Sequence, residues 1–291
     1  MASAASEMMP TAKISALRRV FDGHDRMAQA ILGRFTGPGP TERISGQAYL
    51  LCITPRSGSS MLSDVLGQTG GVGMAEEHFP TSSDLPLPEW MATCANLDEV
   101  LRMLQANAPS GYFGIKGDLF QMFPLIAEGV FAGPGCIFKH IYLTRRDHVG
   151  QAISLTRAIK TNEWHTRDAP VPDPDLMFED VLFYLRYLHE MEADWETIFS
   201  ALQIAPLRLY YEDLVADPAG AFEKTRQYLD VEWKVDPSGV VSAYQSVRDR
   251  HDPQWIQNLR AQFGSAYRAT TVSKWTRRLT DRRRRQPPAS P

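Results

Sequence analysis

An α/β fold with a central parallel sheet flanked by helices is what this sequence predicts, and three observations carry the prediction. Short apolar runs of four to eight residues recur along the chain at 48–53, 112–116, 137–144 and 207–211. Between them lie longer stretches with apolar residues at helical spacing. The first run is followed at once by a turn of small residues and then by a helical pattern. Strands alternating with helices bury both faces of a parallel sheet, so the strands read as continuous apolar runs.

The first of these units organises the rest. Ala48-Tyr49-Leu50-Leu51-Cys52-Ile53 reads as a buried strand. Thr54-Pro55-Arg56-Ser57-Gly58-Ser59-Ser60 is the turn, and Met61, Leu62, Val65 and Leu66 recur at helical spacing after it. Small side chains let backbone N–H groups approach an anion, and a helix start adds the positive end of its dipole. Arg56 offers a forked cation suited to phosphate or sulfate, and Ser57, Ser59 and Ser60 add hydroxyl donors. The competing reading is a turn whose serine merely caps the helix; the arginine and the apolar strand in front favour the anion site.

The remaining elements follow in order. Residues 12–35 have near-helical spacing, broken around Gly23, and Gly37-Pro38-Gly39-Pro40 links them to the core. Gly70-Gly71-Val72-Gly73 makes a turn into Glu76-Glu77-His78-Phe79 and a proline-broken loop. Asn96 caps a helix with Asp98 and Glu99 in its first turn. A helix is expected over 119–131 and another from Arg145 to about Lys160, with Asp147 as its cap. Residues 165–175 form a loop. Residues 176–201 give the longest helical pattern, with Leu182, Leu185, Leu188 and Trp195 inward. Pro218 starts the last helix, through about Leu229.

Composition sets the bounds. The 291 residues, 43% hydrophobic, suit one large domain with a substantial core. The formal net charge of −3 hides an asymmetry: residues 274–291 carry a local +6, leaving about −9 for the rest. That basic tail reads as a disordered, solvated end that can touch an anionic membrane surface; no nucleic-acid partner is expected. Cys52, Cys94 and Cys136 are scattered, without a Cys-x-x-Cys pair, so neither a disulfide framework nor a cysteine zinc site is indicated. Reduced thiols, no signal peptide and no membrane span point to a cytoplasmic protein, at the inner face of the membrane if the tail binds there. His140, His165, His189 and His251 show no metal-ligand spacing.

Ligands in parallel sheets sit at the carboxyl ends of strands. Arg56, Glu77, Lys116 and Arg145 all follow predicted strands. Asp147, Gln151 and Ser154 share one side of a helix, and Arg145 with Ser154 can hold a second phosphate. Lys116 either steadies a leaving phosphate or is a surface lysine. The lysine and magnesium-binding hydroxyl of an ATP loop, Gly-x-x-x-x-Gly-Lys-[Ser/Thr], are missing. Sulfuryl transfer fits a site of backbone amides and one or two cations, since a sulfuryl group carries less charge than a phosphoryl group.

The chain resembles the bacterial carbohydrate sulfotransferases of the trehalose sulfotransferase family. AYLLCITPRSGSSMLSDVLGQTG, GMAEEHF, PLPEW, GIKGDLF, IYLTRRDHVGQAISLTRAIKTNEW, LYYEDLVADPAGAF and, more weakly, SVRDRHDPQWI carry the resemblance, in order, from about residue 47 to 260. It implies a P-loop-type sulfotransferase fold related to the nucleotide kinases. It also implies 3′-phosphoadenosine 5′-phosphosulfate as co-substrate, no metal, a hydroxyl of a sugar or glycolipid as acceptor, and a homodimer. On the family's pattern, Arg56, Ser57, Gly58, Ser59 and Ser60 hold the 5′-phosphosulfate, and Arg145 and Ser154 the 3′-phosphate. Glu77 is the catalytic base with Arg56 assisting, while Glu76, His78, Phe79 and Trp90 contact the acceptor. Residues 1–40 are then a partly helical extension, 46–270 the sulfotransferase domain and 271–291 the basic tail. Two departures stand out: Pro55 where the family commonly has glutamine, and Met74-Ala75-Glu76-Glu77-His78-Phe79 where it commonly has Glu-Pro-Gln-Glu-Phe-Phe. A metal-dependent kinase or NTPase of related fold, and a non-catalytic nucleotide- or glycan-binding protein, are the alternative readings.

Overall fold

The computed structural model describes residues 29–35, 44–80, 85–109, 111–133, 135–164, 174–244, 257–258 and 260–262. Strands β1 (Ala48–Ile53), β2 (Phe113–Gly117), β3 (Phe138–Thr144) and β4 (Leu207–Tyr210) form one sheet in the order β2-β1-β3-β4. Every pairing is parallel, with Ala48 opposite Phe113 on one side and Phe138 on the other, and Ile141 opposite Leu207. The chain leaves β1 toward one side for β2 and crosses back for β3, so the order reverses at β1. A crevice opens at the carboxyl end of the strands where the order reverses.

Helices cover both faces. They are α1 (Ser59–Gln68), α2 (Glu89–Ala92), α3 (Leu97–Asn107), α4 (Leu119–Ala127), α5 (His148–Thr161), α6 (Phe178–Ala201), α7 (Tyr211–Ala216) and α8 (Pro218–Leu229). β1 is buried throughout and its alternate residues divide between two cores, as a strand's period of two requires. Leu50 and Cys52 pack with Leu97, Leu101, Met122, Trp195 and Phe199 from α3, α4 and α6. Tyr49, Leu51 and Ile53 pack with Leu62, Val65, Leu66 and Phe222 from α1 and α8. A third cluster lies between α5 and α6.

Local chemistry explains most boundaries. Asn96 and Asp147 cap α3 and α5 as expected, accepting from Glu99 and Gly150 N–H. α4 carries a full capping box of Asp118 and Gln121 that the sequence reading did not pick out. It stops at Ala127 rather than near 131, and Gly129 then takes a positive φ of 69°. In α6 the buried residues are Val181, Leu188, Met191, Trp195, Ile198 and Phe199; Leu182 and Leu185 are only half-buried. α2 and α7 are too short for a period to show, and Tyr211 opens α7 instead of closing β4. The described end of the N-terminal extension, 29–32, is helical, and Ile31 is fully buried in the core beneath α3 and α6. The rest of that extension, the loop at 165–173 and the basic tail lie outside the described residues. No described helix is long and apolar enough to cross a membrane.

Candidate active site

The turn after β1 takes its shape from two residues in the left-handed region, Arg56 at φ 64° and Gly58 at φ 89°. Left-handed residues in such a turn are the kind of backbone that can gather N–H groups around an anion, which is the cradle the sequence predicts. Gly58 is required twice over. Its φ favours glycine, and a Cβ there would stand 2.5 Å from Tyr211 Cδ2. Gly58 is also the N-cap of α1, and no side chain caps that helix. The serine-cap reading of this turn is therefore excluded, and no side chain takes up the first N–H groups of α1 as a cap. Ser57 is fully buried and its Oγ has no hydrogen-bond partner.

Residues that follow β3 and β4, and residues of α5, meet at the same end of the sheet. From β3, Arg145 is 7% exposed, donates through Nη1 to the Arg56 carbonyl (3.3 Å) and stacks its guanidinium 4.6 Å from the Tyr211 ring centroid. After β4, Glu212 in α7 accepts from Arg146 N (3.0 Å) and Asp147 N (3.1 Å), tying the end of β3 to the start of α7. Asp147 also meets Arg260 Nη2 at 2.5 Å. From α5, Ser154 Oγ accepts from Arg56 Nε at 3.0 Å, and Gln151 Nε2 donates to Thr54 Oγ1 (2.9 Å) and the Pro55 carbonyl (2.8 Å). Arg56 Nη1 donates to the Trp164 carbonyl. The sequence reading put Arg56 with the first anion and Ser154 with the second; the fold bonds the two side chains directly. Tyr211 and Arg260 were not singled out beforehand, for their approach depends on the turn into α7 and on the far end of the chain.

The other wall is built on β2. Glu76 bridges Ile115 in parallel, with Lys116 N donating to the Glu76 carbonyl at 2.9 Å, so the segment runs briefly as an edge beside β2. Lys116 is only 6% exposed, which removes the surface-lysine reading. Its Nζ lies 3.2 Å from Glu77 Oε1 and 3.3 Å from Ser60 Oγ. Gln121 Nε2 donates to Glu77 Oε2 (3.2 Å) and to the Phe79 carbonyl (3.0 Å). Burial, and then the Lys116 charge, push the His78 imidazole down to about 4, so it is neutral at pH 7. Its ring meets Trp90 edge-on at 5.6 Å. Glu76 is exposed. Phe79 is 2% exposed, and its ring belongs to the core rather than to the cleft.

Other candidates settle into structural places. His140 is buried and donates to the Phe131 carbonyl at 2.8 Å. His189 contacts His148 at 2.9 Å on the surface of α5 and α6. His165 and His251 lie outside the described residues, and among those described no group of three or more His, Cys, Asp or Glu side chains could hold a metal. Arg157 and Glu163 form a buried ion pair at 2.7 Å beside Trp164. All three thiols are free.

A parallel sheet reversing at β1 brings two arginines to the turn after β1 and joins a carboxylate to that turn through Lys116, and comparison with known proteins puts this fold in the sulfotransferase class. The chain belongs to the Stf0 sulphotransferase family, whose model matches residues 48–113 and 126–262. It is 24% identical over 258 residues to the trehalose 2-sulfotransferase of Mycolicibacterium smegmatis, a match covering 73% of this chain and 94% of the relative. Against the trehalose 2-sulfotransferase of Mycobacterium tuberculosis the identity is 23%, covering 74% and 94%. The fold is similar to the sulfotransferase domain of the Synechococcus PCC 7002 olefin synthase, with a TM-score of 0.50 and 14% identity over 77% of this chain and 91% of that one.

Proposed function

We propose that this protein transfers a sulfuryl group from 3′-phosphoadenosine 5′-phosphosulfate to a hydroxyl of a sugar or glycolipid. The observation that carries the reading is Lys116, which joins the only carboxylate on the 74–79 segment that touches it, Glu77, to Ser60 of the cradle. The turn suits such a donor: the Ser57 hydroxyl is buried without a partner, and the positive φ of Gly58 shapes the backbone at the start of α1. The co-substrate, when bound, supplies an activated sulfuryl group and carries away a bisphosphate leaving group.

The chain's own residues then divide the work. Residues 56–60 and the start of α1 hold the phosphosulfate through N–H and hydroxyl donors. Arg145 and Ser154, with Arg56 between them, hold the 3′-phosphate. Lys116 places a positive charge between acceptor base and cradle, where negative charge develops on the bridging oxygen as the sulfur–oxygen bond breaks. Glu77 takes the acceptor hydroxyl proton as the new sulfur–oxygen bond forms. His78 and Trp90 line the acceptor side; neutral His78 serves there as a hydrogen-bonding group. The trehalose 2-sulfotransferases among the relatives place a disaccharide first among acceptors to try.

The test is incubation with radiolabelled donor and a panel of sugars headed by trehalose, with adenosine nucleotide binding measured in parallel with and without magnesium. A labelled sugar formed without magnesium is the expected result. Tight bisphosphate binding with no product on any sugar would leave a nucleotide-binding protein instead.

A further inference from the structure

Resting on Glu77 as the acceptor base, we propose that Gln121 is the positioning residue of this site, holding the Glu77 carboxylate and the acceptor segment in register with the cradle. The stretch that contains it, 114–125, falls between the two parts of the chain matched by the family model.

The geometry leaves the Gln121 carboxamide one orientation. Its Oε1 accepts from Asp118 N at 3.0 Å, while Nε2 donates to Glu77 Oε2 at 3.2 Å and to the Phe79 carbonyl at 3.0 Å. Turned over, the amide would set its oxygen against a carboxylate and a carbonyl, and its NH2 against an N–H; all three contacts would be lost. The backbone N–H of Gln121 is in turn accepted by Asp118 Oδ1 at 3.1 Å. Gln121 is 5% exposed, so few other rotamers are open to it.

The result is a clamp with one end on each side of the base. Lys116 holds Oε1 from β2 and Gln121 holds Oε2 from the first turn of α4. Lys116 alone would fix the distance to the cradle but not the tilt of the carboxylate. The second donor fixes the plane, and the bond to the Phe79 carbonyl fixes the segment that carries it. Proton transfer needs such fixed geometry, because misplacement by about 1 Å can cost about 10²-fold. A capping box needs only the side-chain oxygen of Gln121; the two donations from Nε2 are additional, and both go to the acceptor segment.

Kinetics of a double-mutant cycle test this. Gln121→Met should lower kcat by about tenfold or more, with the affinity for adenosine 3′,5′-bisphosphate unchanged. In a Glu77→Gln background the same substitution should lower kcat no further, because its effect passes through the carboxylate. Gln121→Glu is the second variant. It keeps the capping box and the fold, which thermal unfolding checks, but replaces the donor with an acceptor, so it should be as slow as Gln121→Met. Equal losses from Gln121→Met in both backgrounds, or full activity in Gln121→Glu, would overturn the proposal and leave Gln121 as a helix cap. If Glu77→Gln itself keeps full turnover, the base assignment fails first and the positioning role falls with it.

Discussion

Lys116 Nζ lies 3.2 Å from Glu77 Oε1 on a side chain that is 8% exposed, and Ser60 Oγ stands 3.3 Å away on its other side. A buried lysine needs a partner, and here the partner is the candidate base itself. Lys116→Met should therefore lower kcat by about 10²-fold, the scale of losing one donor at a developing negative charge. Bisphosphate affinity should change little, because the residues proposed for the 3′-phosphate, Arg145 and Ser154, come from the end of β3 and from α5. Steady-state kinetics with calorimetric binding check both halves. A loss confined to donor affinity would make Lys116 a binding residue only.

Glu77 and His78 are adjacent, and their surroundings separate them. Glu77 meets a cation, whereas His78 is half-buried beside that same cation with its imidazole pushed down to about 4. Glu77→Gln should cut kcat by about 10²-fold or more. His78→Asn should mainly raise the acceptor KM, as loss of uniform binding does. Kinetics of both variants with one acceptor decide. Abolished turnover in His78→Asn with most of it kept in Glu77→Gln would reverse the two roles.

Arg145 is held between Tyr211 and the carbonyl of Arg56, whose own Nε donates to Ser154. Losing one charge-assisted contact costs roughly 1.5–3 kcal/mol. Arg145→Ala should then weaken adenosine 3′,5′-bisphosphate by about 10- to 150-fold, and weaken 5′-AMP far less. Unequal losses mark a 3′-phosphate contact; equal losses would place Arg145 elsewhere on the nucleotide.

Stability should fall on mild acidification, partly through His140. Burial depresses its imidazole to about 4, against the small opposing effect of its bond to the Phe131 carbonyl. A depressed group contributes stability above its unfolded value near 6.5, lost as pH falls toward 4. His78 acts in the same direction. Asp118 acts oppositely: burial raises it to about 6, so its contribution is lost as pH rises from about 4 to 6. His140→Gln removes one titrating group, and its loss of stability between pH 7 and pH 5 should be about 2 kcal/mol smaller than in the wild type. Urea unfolding at the two pH values measures it; parallel losses in both proteins would count against the assignment.

All four strands, the caps at Asn96 and Asp147 and the turn at 54–60 were legible in the sequence, because each depends on neighbours within a few residues. The apolar run 48–53 needs burial on both faces, and Asp147 needs only the N–H of Gly150 three residues on. Tertiary structure alone decided which groups meet. Arg56 and Ser154 are 98 residues apart in the chain, Lys116 and Ser60 are 56 apart, and Gln121 reaches Glu77 across 44. Parallel strands bring such distant positions to one edge of the sheet, but the register and the helix that follows each strand fix which side chain arrives. The burial that turns Lys116 from a surface charge into a bridge, and Phe79 from a cleft residue into a core one, arises only when the 74–79 segment packs beside β2.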